Sequence, residues 1–582
     1  MAKEIIMPKN GMDMKEGVLV KWLVSVGDYV EKGDPVMEIE TDKVTMESEA
    51  PASGTVLALY AEEGETVPVL SVMGYLGEKG EQVPERPAEN LQSDAAPLPP
   101  APSAEKVPPA VGDSHTGAEN ARFDFDVAVI GGGPAGYTAA IRVAQRGGRA
   151  VLFERGEVGG TCLNRGCIPA KTYLKTAEYL HCIEHAKERG ILLGSGASVD
   201  MERVRGRKDE VVGTLVSGVA SLLRSNGIEV VRGDASLCGP QRIRCGGREY
   251  SAGKIILCGG SKPSMPPIPG ICHEEVWSSD DAFSTKDIPK RLAILGGGVV
   301  GCELAAAFHA FGSSVTIIET LPRLVANMDE SVSDALRKAF ETDGIAVLTD
   351  TRVNAVRGAA GGGLEIEAGG SAVFADKLLV ATGRIPVLDC LGSMKDSIAI
   401  RGGAVVVDER LMTSIENVYA AGDICGGAML AHAAFRMADV AAIGAMGGDA
   451  RIDLGGIPGC VYTMPEAAGI GLTEKDARER YQEAVSVGMF PFAANGRALA
   501  SGSPEGFVKV IVGKEYGELL GVHIVGGCAT ETIMEPAALM RMEVTAHEVV
   551  GDIVHAHPTF AEAFMEACAD ALGQSVHLPK RG

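Results

Sequence analysis

The chain has 582 residues, of which 46% are hydrophobic and 23% charged, a globular composition long enough for several domains. Its formal charge of −23 argues against nucleic-acid and anionic-membrane partners, because both demand a basic face. Thirteen cysteines, mostly scattered singly, do not suit a secreted disulfide scaffold, so a reducing cytoplasm is the expected compartment.

The N-terminus, MAKEIIMPKN, has no basic stretch followed by an apolar one, so no signal peptide is read there. No apolar run approaches the ~20 residues that span a bilayer. Residues 1–78 read as short strands with a weak internal repeat. Val26-Gly27-Asp28-Tyr29-Val30 echoes Glu63-Gly64-Glu65-Thr66-Val67. Two similar halves of turn and strand predict a small all-β sandwich with pseudo-twofold symmetry. Asp42-Lys43-Val44, between the halves, falls at a hairpin tip. Residues 79–122 then change character: eight prolines lie between residues 84 and 111, without apolar periodicity. That is a semi-extended, solvated linker.

The body opens on an apolar strand from Phe125 to Ile130, a helix from Pro134 to Arg146, and a strand from Ala150 to Phe153. Gly131, Gly133 and Gly136 stand at the G-x-G-x-x-G positions between the first strand and the helix. Glycine there permits the tight turn, lets a pyrophosphate approach the backbone, and lets helix pack on strand. Glu154 ends the next strand, where a carboxylate hydrogen-bonds a ribose hydroxyl. The same events recur with strand Leu292 to Leu295, Gly296, Gly298 and Gly301, a helix through His309, and strand Val315 to Ile318 ending at Glu319. Two dinucleotide folds in one chain imply two nucleotides. Glu319 repels a 2′-phosphate and favours NAD over NADP, while the nearby Arg323 reads as a surface charge. From about Ile457 the pattern changes to mixed strands, Phe507 to Val512 and Leu519 to Val525, and helices, which suggests a third domain.

Two short constellations carry the chemistry. Cys162 and Cys167 lie five positions apart at a helix start, in Gly160-Thr161-Cys162-Leu163-Asn164-Arg165-Gly166-Cys167. Spacing alone leaves open a redox disulfide, a metal pair or two inert thiols. A metal is poorly supported, because no second Cys/His pair has matching spacing. Near the C-terminus, His557 and Glu562 in His-Ala-His-Pro-Thr-Phe-Ala-Glu can form an imidazole–carboxylate dyad, or can be an ordinary surface or core pair.

Together these elements resemble the pyridine nucleotide-disulfide oxidoreductase family over residues 123–582, with Gly159-Gly160-Thr161-Cys162-Leu163-Asn164-Arg165-Gly166-Cys167-Ile168-Pro169-Ala170-Lys171 as the most specific segment. The resemblance implies an α/β architecture with an α+β C-terminal part. Its parts would be an FAD-binding domain at 123–273, an NAD-binding domain at 274–395, a central FAD-contacting segment at 396–456 and a homodimerisation domain at 457–582. It implies that Cys162 exchanges with substrate and Cys167 faces the flavin. Lys171 would sit near the flavin and pair with Glu303, and His557, oriented by Glu562, would serve the partner subunit's disulfide. It further implies that Asp423 of Val418-Tyr419-Ala420-Ala421-Gly422-Asp423 binds the ribitol chain and that Ala431 contacts the flavin through its backbone. Gly383, in the turn Ala381-Thr382-Gly383, and Val353 would border nucleotide. The corresponding first turn departs from the family pattern as Cys258-Gly259-Gly260, and position 302 is a cysteine.

Residues 1–78 resemble a lipoyl domain with Lys43 as the modified lysine. A biotin carrier normally sets that lysine between two methionines, whereas Asp42 and Val44 flank it here. The implied activity is oxidation of protein-bound dihydrolipoamide, with electrons passing through the disulfide and FAD to NAD+. The expected partners are lipoyl domains of a dihydrolipoamide acyltransferase, within a 2-oxo acid or acetoin dehydrogenase complex. Two rivals are a glutathione- or mercuric-type reductase and a lipoyl-carrying protein with an inert flavin core. Glu319 and a chain end without vicinal cysteines disfavour the first; the intact Cys162, Cys167, His557 and Glu562 disfavour the second.

Overall fold

A computed structural model describes residues 3–7, 16–40, 45–61, 63–68, 71–77, 81, 123–194 and 196–579. The chain divides into two compact units, Met1–Gly117 and Ala118–Gly582. The Asp42-Lys43-Val44 site and nearly all of the expected linker lie outside the described residues.

The first unit consists of two four-stranded sheets. One orders Lys3–Ile6, Val72–Gly77, Gly54–Leu59 and Tyr29–Val30; the other orders Thr45–Glu49, Pro35–Glu40, Glu16–Trp22 and Thr66–Pro68. The echo seen in sequence is structural. Gly27 (φ 104°) and Gly64 (φ 86°) take the left-handed conformation at equivalent turns, each donating its N–H to the other half, to Val56 O at 2.8 Å and Leu19 O at 2.7 Å. The short strand after each turn then pairs with the long strand of the opposite half. Alternation turns Leu19, Met37, Ile39, Val56 and Met73 into one closed core. Pro35–Glu40 and Thr45–Glu49 pair with Glu40 opposite Thr45, and these strands flank the site of Lys43 in the chain.

The second unit is built on a largely parallel sheet, an all-parallel sheet and a five-stranded antiparallel sheet, with a three-stranded antiparallel sheet over residues 353–375 and two two-stranded ribbons beside them. In the first, Glu229–Arg232, Ala150–Glu154, Phe125–Ile130, Arg248–Leu257 and Val418–Ala420 run parallel, extended by a hairpin. The second orders Val276–Trp277, Lys377–Val380, Arg291–Leu295, Ser314–Ile318 and Ala346–Leu348, all parallel. Its strands are near-continuous apolar runs because helices cover it. Residues 459–526 supply a five-stranded antiparallel sheet whose apolar face packs on the helix Glu562–Ala571. A buried charge cluster joins this sheet to the second: Lys509 Nζ lies 2.8 Å from Asp329 and 2.7 Å from Glu474. No described helix is long and apolar enough to cross a membrane.

Candidate active site

Two glycine turns open onto one cavity of about 1910 Å³. Gly131 (φ 104°) and Gly296 (φ 112°) occupy backbone that L side chains rarely adopt, and a Cβ would meet Cys258 O at 2.1 Å and Ala381 O at 2.5 Å. The turn at Cys258, which departs from the family pattern, thus makes the same backbone approach as the one at Ala381. The third glycines do a different job. A Cβ on Gly136 would stand 1.6 Å from Gly131 O, and one on Gly301 2.0 Å from Gly296 O. They let helix press on strand, and neither lines the cavity, whereas Gly131, Gly133, Gly296 and Gly298 do.

The helices Pro134–Gln145 and Val299–Ala310 begin at Gly133 and Gly298 with no side-chain cap. Their free N–H groups and positive ends suit a pyrophosphate. Glu154 accepts from Gly132 N and Gly156 N, both at 2.6 Å; Glu319 accepts from Gly297 N at 2.6 Å and Leu321 N at 2.7 Å. Each carboxylate braces its own glycine loop and faces the cavity. Arg323 does not line the cavity; it pairs with Glu330 at 3.1 Å.

A third uncapped helix, Ala431–Ala445, starts at the cavity wall. Asp423 lies on the same wall after Gly422 (φ 81°), its Oδ2 accepting from Ser261 Oγ at 2.5 Å. Gly383 also lines the cavity. Val353 is not on that wall: its side chain is buried in one core cluster with Val356, Ile366 and Leu378. Inward alternation at the start of its strand sends it into the core.

Between the cradles stands the cysteine pair. Gly166 separates two helices, Gly160–Arg165 carrying Cys162 and Cys167–Glu184 starting at Cys167. Asn164 Nδ2 pins the first to the loop before it, donating to Val158 O at 3.1 Å and Gly160 O at 2.9 Å. The two side chains are in mutual hydrogen-bond contact. That contact, aided by Lys171, holds Cys167 below the usual thiol range despite burial. The same contact, with burial, pushes Cys162 up. Helix position adds to this, since Cys167 opens an 18-residue helix whose positive end favours a thiolate, whereas the helix carrying Cys162 has six residues.

Lys171 lies one turn further along that helix. Its Nζ is 2.9 Å from both Glu303 oxygens, and it sits over the Tyr462 ring at 4.2 Å from the centroid. Tyr462 N donates to Glu303 Oε1 at 3.0 Å. Tyr462 was not legible as a site residue, because nothing local to Val461-Tyr462-Thr463 points to a charge 159 residues away. His557 Nδ1 meets Glu562 Oε1 at 2.8 Å, and Glu562 Oε2 accepts from Thr559 N at 2.7 Å. Burial opposes ionisation of Glu562, but these bonds outweigh it and hold its carboxyl below the usual range. The His557 side chain is 79% exposed, and neither member of the dyad lines the cavity of its own chain. Among the described residues no group of three or more His, Cys, Asp or Glu could hold a metal ion.

Residues 125–438 match the model of the pyridine nucleotide-disulphide oxidoreductases, and residues 457–568 match the dimerisation domain of the same family. Residues 3–76 match the biotin-requiring enzyme model. A dihydrolipoyl dehydrogenase of Bacillus subtilis is 41% identical over 459 residues, spanning 78% of this chain and 99% of that protein. One from Thermus scotoductus is also 41% identical, over 465 residues, with the same coverage. Among solved structures, the HOCl-induced flavoprotein disulfide reductase RclA from Escherichia coli is 28% identical with a TM-score of 0.69, covering 76% of this chain and 99% of that one. LpdA from Mycobacterium tuberculosis, 24% identical with a TM-score of 0.71 over 76% of this chain and 99% of that one, shares the fold.

Proposed function

The chain belongs to the pyridine nucleotide-disulphide oxidoreductase family, and on that footing we propose that it is a dihydrolipoamide dehydrogenase carrying its own lipoyl domain. The observation that carries the reading is the Cys162–Cys167 thiol contact, set beside the Lys171–Glu303 pair in one cavity with both glycine cradles. RclA-type chemistry is the second reading, but identity is lower there, 28% against 41%.

The oxidative half begins from the Cys162–Cys167 disulfide. Glu562 accepts a hydrogen bond from Nδ1–H of His557, which leaves the Nε2 lone pair free to remove a substrate thiol proton. The substrate thiolate attacks Sγ of Cys162; the Cys162–Cys167 bond breaks and Cys167 leaves as a thiolate. The second substrate thiol attacks the first substrate sulfur, releasing lipoamide, and its proton passes to Cys162. The substrate loses two electrons and two protons. The electrons reside on the cysteine pair, one proton on His557 and one on Cys162. Lys171 keeps a positive charge beside the Cys167 thiolate, and Glu303 fixes its place. FAD and NAD+, when bound, supply the onward two-electron transfer that restores the disulfide. Because His557 is exposed and absent from its own chain's cavity, it serves the disulfide of a second copy in a homodimer. Glu319 facing the cavity, with Arg323 tied to Glu330, selects NAD+ over NADP+. The cytoplasm is the compartment that suits this dithiol chemistry.

Lys43 carries lipoyl, and the N-terminal unit serves as a tethered substrate arm. Tethering raises local substrate concentration towards the millimolar range when the connecting segment matches the span. The external partners are lipoyl domains of a 2-oxo acid or acetoin dehydrogenase complex. Turnover of free dihydrolipoamide with NAD+ by the purified, flavin-loaded chain tests the activity; no turnover would sink it. Mass spectrometry of Lys43 from native cells tests the arm, and a biotinylated or unmodified lysine would remove it alone.

A further inference from the structure

The chain crosses between its two nucleotide sheets twice, and the crossing strands pair with each other. Ser261–Pro263 leaves the first sheet and Arg384–Pro386 returns to it, antiparallel, with Pro263 opposite Arg384. So short a ribbon is held weakly by its own backbone bonds. Side chains hold it instead. Ser261 Oγ donates to Asp423 Oδ2 at 2.5 Å. Arg384 Nε donates to the same Ser261 Oγ at 2.7 Å, and Nη2 donates to Ser261 O at 2.9 Å and to Thr161 Oγ1 at 3.4 Å. One half-buried guanidinium therefore reaches three places: the outgoing strand, the Asp423 carboxylate through a single serine, and the residue before Cys162.

Charge adds to this geometry. Arg384 faces Asp423, Asp280, Arg165 and Cys167, and burial lowers its pKa ahead of the opposing pull of the two aspartates. Arg165, between the two cysteines in sequence, pairs with Asp280 at 3.8 Å. Asp280 Oδ1 is buried and has no hydrogen-bond partner among the described residues, and Arg165 and Arg384 oppose the effect of burial on its carboxyl. The positive groups on this side of Cys167 thus come from the end of the helix that carries Cys162 and from the returning strand.

We infer that Arg384 is a positioning residue of the electron-transfer site: its forked guanidinium sets the Asp423 carboxylate and the Thr161–Cys162 helix together. Flavin seating and the Cys167 thiolate then answer to one side chain in the ribbon between the nucleotide sheets. The inference rests on the proposed roles of Asp423 at the ribitol chain and Cys167 at the flavin. Lysine could replace the charge but not the fork, since one ammonium cannot hold Ser261 and Thr161 in fixed planar geometry.

The test compares Arg384→Lys and Arg384→Met in the full-length chain by two readouts. One is FAD affinity, by titrating flavin back into stripped protein. The other is the pH midpoint at which thiolate–flavin charge-transfer absorbance disappears on half reduction. Arg384→Met should weaken FAD by roughly tenfold, having lost charge-assisted bonds. It should also raise the midpoint, because removing a cation near Cys167 makes its thiolate harder to keep. Arg384→Lys should return the midpoint to the parent value while FAD stays weakened. If Arg384→Met does not fold, Ser261→Ala cuts the relay to Asp423 with the charge intact, and should weaken FAD without moving the midpoint. FAD affinity within about twofold of the parent in these variants would overturn the inference, as would equal midpoints in the Lys and Met variants. A parent chain that binds FAD but never develops the absorbance would count against the proposed role of Cys167; the FAD readout would still decide the role of Arg384.

Discussion

Lys171 Nζ lies 2.9 Å from both carboxylate oxygens of Glu303, joining the helix that starts at Cys167 to the helix that starts at the second glycine cradle. Glu303 is almost fully buried, whereas the Lys171 side chain is 34% exposed, so the two partners are not equivalent. Removing the lysine strands a buried carboxylate. Removing the carboxylate frees an ammonium that water reaches.

Lys171→Met should therefore cost more stability than Glu303→Gln. Breaking a fully buried pair costs about 3–5 kcal/mol, discounted here because one partner is wet. Thermal melts of the two flavin-loaded variants check the order, and equal or reversed losses would contradict it. The signs on Cys167 should oppose each other. Lys171 lowers and Glu303 raises the Cys167 pKa, so charge-transfer absorbance should survive to lower pH in Glu303→Gln and vanish at higher pH in Lys171→Met.

The roles of the two cysteines are separable in the same way. Cys167 is the thiol held low and Cys162 the one pushed up. In Cys162→Ser the charge-transfer band should be present without reductant, because Cys167 has no disulfide partner and the serine hydroxyl still donates to it. Cys167→Ser should lack it. A band in Cys167→Ser alone would reverse the assignment.

Much of this site was legible in sequence because its parts are local. Gly131-x-Gly133-x-x-Gly136 and its repeat at Gly296 announce strand, turn and helix within one window, and Glu154 and Glu319 follow at the ends of the next strands. What stayed hidden depends on pairing across the chain. Ser261 and Arg384 meet only because two strands 123 residues apart form one ribbon. The Gly383-Arg384 step was a faint signal, a cation directly after the turn already singled out. Val353 shows the converse: a valine at a strand start looks alike in sequence whether its side chain faces ligand or core, and here it faces the core. The break at Gly166 depends on backbone geometry that the spacing of the two cysteines does not reveal.

Coenzyme choice should follow the second carboxylate. Glu319 is already bonded to two backbone N–H groups and stays on the cavity wall, where a 2′-phosphate would meet like charge. Arg323, four residues on, is engaged with Glu330. kcat/KM for NAD+ should exceed that for NADP+ by at least roughly a hundredfold, since each ~1.4 kcal/mol is tenfold. Glu319→Gln should narrow the gap. Equal values in the parent would mean that Arg323 leaves Glu330 for the phosphate.

The most decisive prediction concerns which subunit supplies the base. His557 and Glu562 form a well-made dyad at 2.8 Å, yet the imidazole is 79% exposed and neither residue lines the cavity that holds Cys162. A base that must remove a thiol proton has to come within hydrogen-bond reach of it. A second copy related by a twofold axis would bring its dyad to this cavity and receive this one in return, because a twofold interface is reciprocal. His557→Gln should lower dihydrolipoamide turnover by about 10²–10⁴-fold, the usual contribution of a general base. NADH oxidation by an artificial acceptor, which needs no thiol deprotonation, should be little changed. Mixing His557→Gln with Cys162→Ser subunits under exchange gives a heterodimer in which one of the two sites has both groups intact, and activity should return in proportion to heterodimer formed. No recovery in verified heterodimers would mean that the base acts within its own chain, through a movement of residues 555–562 that this structure does not show.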